Sequence, residues 1–125
     1  MLTIEMVTRQ ATDELDALFD ALANRHRREI LHTLSLHPSS ISRLADERGL
    51  SLPAIHKHVK VLEEAGLVTR RKLGRTNVLT LRRPSLRGLQ DWLAKFHAYW
   101  GSDQESLDNY AHYLTRDQPS NEEQP

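Results

Sequence analysis

The 125 residues contain no cysteine, which excludes disulfides, thiolate metal sites and cysteine nucleophiles. Long apolar runs are also missing, and none approaches the ~18 residues a membrane span needs. The opening residues "MLTIEMVTRQAT" have neither the basic stretch nor the apolar stretch of a secretory signal. The expectation is a cytoplasmic protein with no membrane partner. No nucleophile–base motif, Gly-rich phosphate loop or ligand cluster stands out, so the residues point to no enzyme, no cofactor and no metal. A net charge is absent as well, with 17 basic side chains set against 17 acidic ones. Taken whole, that balance argues weakly against nucleic acid.

The distribution of charge argues the other way. Residues 1–39 hold four basic and six acidic groups, residues 40–83 ten and four, and residues 84–125 three and seven, for local balances of −2, +6 and −4. A basic centre between acidic ends predicts a polarised surface, which matters more for a partner than the total does. Solvated charge with no partner is the other reading of these counts. A chain of this length forms one domain with a modest core, burying about two-thirds of its unfolded surface, so a second subunit would help materially.

Hydrophobic spacing places the elements. Residues 1–12 read as a flexible arm. Leu15, Leu18, Phe19 and Leu22 then fall on one helical face. Asn24 is placed to cap a second helix, with Ile30, Leu31 and Leu34 inward and Pro38 as its stop. Ser42 can cap a short third helix ended by Gly49, and Ser51 can cap a fourth, with Pro53 in its first turn and Gly66 at its end. Two helices separated only by Gly49, Leu50 and Ser51 make a helix–turn–helix. Beyond Gly66 the period becomes two: "LVTRRKL" and "TNVLTLR" flank Gly74-Arg75, which suits a type II′ hairpin. In that hairpin Val68, Leu79 and Leu81 are placed inward, and Thr69, Arg71 and Thr80 outward. Pro84 and Ser85 open a long helix in which Leu86, Leu89, Leu93, Phe96, Trp100, Asp103, Leu107, Tyr110 and Leu114 alternate spacings of three and four. All but Asp103 are apolar or aromatic. At roughly 30 residues and ~45 Å this helix exceeds what so small a domain can cover. Pairing with a second copy is the economical reading, and folding back over its own domain is the alternative. Residues 115–125 have no apolar side chain to bury and read as a disordered tail.

The expected class is therefore mainly α with a small β-hairpin: a winged helix-turn-helix domain over residues 13–83 and a dimerisation helix over 84–114. On the helix of residues 52–65, Ile55, Val59 and Leu62 form the back, while Pro53, His56, Lys57, Lys60 and Glu64 share the front. An α-helix fits the major groove of double-stranded DNA, and the N-terminal half of the second helix reaches base edges. The hairpin's Arg70, Arg71, Lys72 and Arg75 would meet the phosphate backbone, adding affinity with little sequence information. The same basic face would also suit an acidic protein partner, so a protein–protein module without operator binding is the alternative. Glu63 and Glu64 oppose the helix dipole, and a Lys60–Glu64 pair is one explanation.

Three stretches, "LFDALANRHRREIL", "ISRLADERGLSLPAIHKHVKVLEEAGLVTRRKLGRTNVLTL" and "DWLAKFHAYW", resemble the arsenic-repressor-like (ArsR) winged-helix regulators over most of residues 15–114. The resemblance implies a bacterial homodimeric repressor that binds an inverted-repeat operator and releases it when an effector binds. It maps the base readers to Leu52, Pro53, His56 and Lys57. Ser51 and Lys60 join them at the DNA as the cap and front of the same helix, and the three-and-four spacing puts Leu86, Leu89, Leu93, Phe96, Trp100, Leu107, Tyr110 and Leu114 in the dimer seam. Leu52 and His56 stand where the family usually has Gln and Ser. Leucine cannot make glutamine's bidentate adenine contact, so operator preference should differ. The family's Cys-x-Cys metal site corresponds to Ser40 and Ser42 and is absent. Asp91, His97, Asp103, Asp108 and His112 lack the spacing of the family's other metal sites. Asp108 and His112 sit at i,i+4 and are read as exposed polar residues rather than ligands shared across a dimer. The effector is left unidentified. Trp92, Phe96, Tyr99 and Trp100 are read as interface core in preference to an apolar effector pocket. His58 is read as a packed, hydrogen-bonded histidine, and it lies about 200° from His56 around the helix.

Overall fold

A computed structural model describes residues 3–100 and 102–116, with the side chains of residues 97–100 outside that description. Three residues with short polar side chains set the starts of the first helices. The Thr3 hydroxyl accepts the Met6 N–H and starts α1 (Ile4–Leu22), and the Asn24 side chain does the same for Arg27 at α2 (Arg25–Leu36). The hydroxyl that caps α3 (Ile41–Arg48) belongs to Ser40, not Ser42. Gly49, in the left-handed region at φ 63°, ends α3. Its N–H reaches the Asp46 carbonyl and the Leu50 N–H reaches that of Ala45, which is a Schellman motif. Ser51 then caps α4 (Leu52–Glu64), with Pro53 in the first turn where its missing N–H costs nothing. A second Schellman motif closes α4: Gly66 (φ 75°) donates to Glu63 and Leu67 donates to Leu62, and both of those leucines are fully buried. Helix–turn–helix formation thus rests on local backbone chemistry at two glycines and a serine.

Strands β2 (Val68–Leu73) and β3 (Thr76–Leu81) form the hairpin, with Val68 opposite Leu81 and Leu73 opposite Thr76. Gly74 has φ 63° while no described non-glycine residue has positive φ, so the two-residue turn is of the II′ kind. The register puts Val68, Leu79 and Leu81 on one face, as the sequence predicts. A third strand, β1 (Ser39–Ser40), pairs antiparallel with β3 through Ser39–Leu79 and Ser40–Val78. Two residues are too few to show a period of two, and this strand is not visible in the sequence.

The chain divides into two compact units, Met1–Leu89 and Gln90–Pro125. The core of the first unit draws Leu18 and Ala21 from α1, Ile30, Leu31 and Leu34 from α2, Ile41, Leu44 and Ala45 from α3, and Ile55, Val59 and Leu62 from α4. Leu67, Val68 and Leu79 complete it, and Leu86 and Leu89 pack half-buried against it.

Two expectations about continuity change. Residues 4–12, expected as an arm, are the exposed first half of α1. Ile4 and Val7 face solvent, so hydrophobic spacing gave no sign of a helix there. The expected single long helix is three pieces: a 3-10 turn (Arg83–Leu86), α5 (Arg87–Trp100) and α6 (Asp103–Arg116). Ser102 and Glu105 form a reciprocal capping box, each side chain accepting the other's backbone N–H, and this starts α6 anew. Ser85 does not cap a helix; its hydroxyl donates to the Gly66 carbonyl. Of the expected tail of residues 115–125, Thr115 and Arg116 are instead the last turn of α6, and residues 117–125 lie outside the described residues.

Candidate nucleic-acid interface

Helix α4 is a two-faced element held from behind. Ile55, Val59 and Leu62 have no exposed surface, while Leu52, Pro53, His56, Lys57, Lys60 and Glu64 are exposed. Ser51 caps the helix at the start of that exposed face, its hydroxyl 3.3 Å from the Ala54 nitrogen. All six α4-end positions expected at DNA, from Ser51 to Lys60, therefore share one solvent-facing stripe. Its acidic member, Glu64, lies at the far end.

The hairpin separates its four basic residues. All four are exposed. Arg70, opposite Leu79 on the inward face, reaches back and donates from its guanidinium to Glu63 at 2.6 Å. The pair resolves the placing of Glu63 against the α4 dipole, since its partner comes from β2 and not from the helix. Nothing in the spacing of either segment signals this pairing, because it depends on how the hairpin packs on α4.

Behind α4 lies a polar cluster that spacing alone also misses. Arg27 donates to the carbonyls of Ala21 (2.7 Å) and Asp20 (2.9 Å), closing the C-terminal end of α1. The same guanidinium stands 3.4 Å from Nδ1 of His58 on the back of α4. The rings of His58 and His26 are 5.5 Å apart, Arg48 of α3 donates to His26 at 3.3 Å, and Arg48 also pairs with Glu29. Partial burial lowers the His58 pKa below its ordinary value, and the positive Arg27 and then His26 push it further the same way. His58 is thus the packed, hydrogen-bonded histidine the sequence suggests, held against Arg27 and His26 of α2.

In the second unit, Leu93, Phe96, Leu107, Tyr110 and Leu114 expose between 40% and 64% of their surface, and Trp92 stands edge-on to Phe96 at 4.7 Å. The side chain of Trp100 is outside the described residues. Asp108 accepts from Gln104 at 3.4 Å. Among the described residues no three His, Cys, Asp or Glu side chains are grouped to hold a metal, and no helix is long and apolar enough to cross a membrane.

Two helices joined through Gly49, the second with a buried back and a basic front, followed by a basic hairpin, define a winged helix-turn-helix protein of the DNA-binding class. Known proteins agree. A helix-turn-helix domain family matches residues 22–71. The HTH-type transcriptional regulator Rv2034 of Mycobacterium tuberculosis is 36% identical over 65% of this chain and 76% of its own length. A crystallised ArsR family transcriptional regulator is 31% identical over 71% of this chain and 92% of its own, with a TM-score of 0.66. A Mycobacterium bovis fragment described as a homodimeric winged helix-turn-helix DNA-binding domain shares the fold at 24% identity and a TM-score of 0.61, over 72% of this chain and 86% of its own. The chain belongs to the ArsR-like family of winged helix-turn-helix transcriptional regulators.

Proposed function

We propose that this protein is a homodimeric, sequence-specific repressor that sets α4 into the major groove of an inverted-repeat operator and lays its wing along the backbone. The observation that carries the proposal is the α4 stripe: Leu52, Pro53, His56, Lys57 and Lys60 are all exposed over a fully buried back. In this reading residues 13–83 make the DNA contact, with Arg71, Lys72 and Arg75 at phosphates and Arg70 holding the wing to Glu63. Residues 84–114 pair two chains through Leu86, Leu89, Leu93, Phe96, Trp100, Leu107, Tyr110 and Leu114, of which Leu86 and Leu89 also pack against the core of their own unit. The homodimeric relative and the exposed apolar residues of α5 and α6 support the pairing. The protein acts in the cytoplasm, and an effector of unidentified chemistry releases it.

The test is fluorescence anisotropy of a labelled fragment of the protein's own promoter, beside scrambled DNA, at several salt concentrations. The expected result is preferential binding whose log affinity falls linearly with log salt, as phosphate neutralisation requires. Equal, weak binding to both duplexes would count against operator recognition and favour a protein-binding role for the basic face.

A further inference from the structure

Leu52 opens α4 directly after the Ser51 cap and leaves 51% of its surface in solvent. Pro53 beside it is exposed as well, and the two lead a stripe that is otherwise polar or basic, through His56, Lys57 and Lys60. Neither side chain can donate or accept a hydrogen bond, and Pro53 has no N–H. At the major-groove edge the four base pairs present hydrogen-bonding atoms and a single apolar group, the C5-methyl of thymine. An apolar tip offered to any other base edge would leave that edge's donors and acceptors without water and without partners.

We infer that Leu52, buttressed by Pro53, is a thymine-methyl reader, and that each operator half-site carries a thymine where the leading end of α4 meets the groove. The inference rests on the proposed placement of α4 in the major groove. Leu73 makes a contrast. It too is exposed, at 64%, but it sits next to the wing turn between Lys72 and Gly74. A wing laid along the backbone or minor groove meets no methyl group, so Leu73 has no part in thymine reading.

The experiment starts from duplexes that the full-length protein selects out of a random pool. The best of them is prepared with thymine and then, one position at a time, with uracil, which removes the methyl and keeps every hydrogen-bonding atom. The expected result is one uracil-sensitive position per half-site, costing about four-fold in affinity for each methyl lost. Leu52→Gln should abolish that thymine-to-uracil ratio. Lys57→Ala should weaken both duplexes and keep the ratio, and Leu73→Gln should leave it unchanged. Because the uracil exchange alters only the DNA, its outcome does not depend on a variant folding. Equal affinity of the unaltered protein for thymine and uracil duplexes overturns the inference while leaving operator binding intact. A ratio that survives in Leu52→Gln, or is lost in Leu73→Gln, overturns the assignment to Leu52. Failure to select any duplex removes both the inference and the DNA-binding proposal beneath it.

Discussion

His58 occupies the back of α4, where its neutral ring accepts from Arg27 and lies tilted, 5.5 Å from the ring of His26. Its folded pKa lies below the ordinary 6.5, so the unfolded chain takes up that proton first as pH falls. The contribution to stability is therefore complete above pH 6.5 and is lost as pH drops toward the lowered value. His58→Gln keeps an acceptor for Arg27 and removes the titration. In urea melts at pH 7.5 and 5.5, the unaltered protein should lose more stability than His58→Gln; equal losses would show that His58 does not carry the effect. The front of the helix makes a separate prediction. Lys57 is exposed, so Lys57→Ala should leave the thermal transition unchanged. It should weaken operator binding several-fold. A lowered melting temperature in that variant would mean that Lys57 supports the fold.

At the scale of elements, the turn between α3 and α4 depends on Gly49. Its φ is 63°, and a Cβ added there meets nothing within 4 Å. Gly49→Ala therefore costs only the backbone term, about 1–2 kcal/mol, and Gly49→Asn should recover part of it because Asn tolerates the left-handed region. The check is the urea midpoint at constant slope; identical midpoints for the Gly, Asn and Ala forms would show that the turn is not under this constraint. The Arg27 guanidinium is the other joint between elements, since it closes α1 and touches α4 at once. It reached notice only in the structure. A long side chain can bridge α1 and α4 only after both have packed against α2, and neither helix period records that it does. The elements that were legible beforehand are those written in local chemistry: Asn24 and Ser51 as caps, Gly49 and Gly66 as stops, and Gly74 in the hairpin turn.

For the molecule as a whole, the apolar residues of α5 and α6 are more exposed than an isolated chain would favour, with Leu93 at 52% and Phe96 at 63%. Leu93→Asp, placing a charge in the proposed seam, should convert a dimer into a monomer by light scattering. Because Leu93 is exposed within one chain, the monomer should stay folded by circular dichroism, with operator affinity reduced by the loss of two-site binding. A variant that remains dimeric would locate the seam elsewhere.

Residue order by itself determined the helix–turn–helix, the inward backs of α2 and α4, the hairpin turn at Gly74 and the basic front from Ser51 to Lys60. Each of these follows from caps, glycines or a repeating period within about a dozen residues. Tertiary structure decided what needs segments distant in sequence. The Ser39–Ser40 strand exists because β3 is there to pair with it, and Arg70 turned to Glu63 because the hairpin packs on α4. After Pro84 the spacing of three and four runs unbroken past Trp100, whereas the Ser102–Glu105 capping box restarts the helix. A hydrophobic period reports which side chains can share a face, whereas a cap reports where the backbone hydrogen bonds end, and in α5 and α6 the two differ.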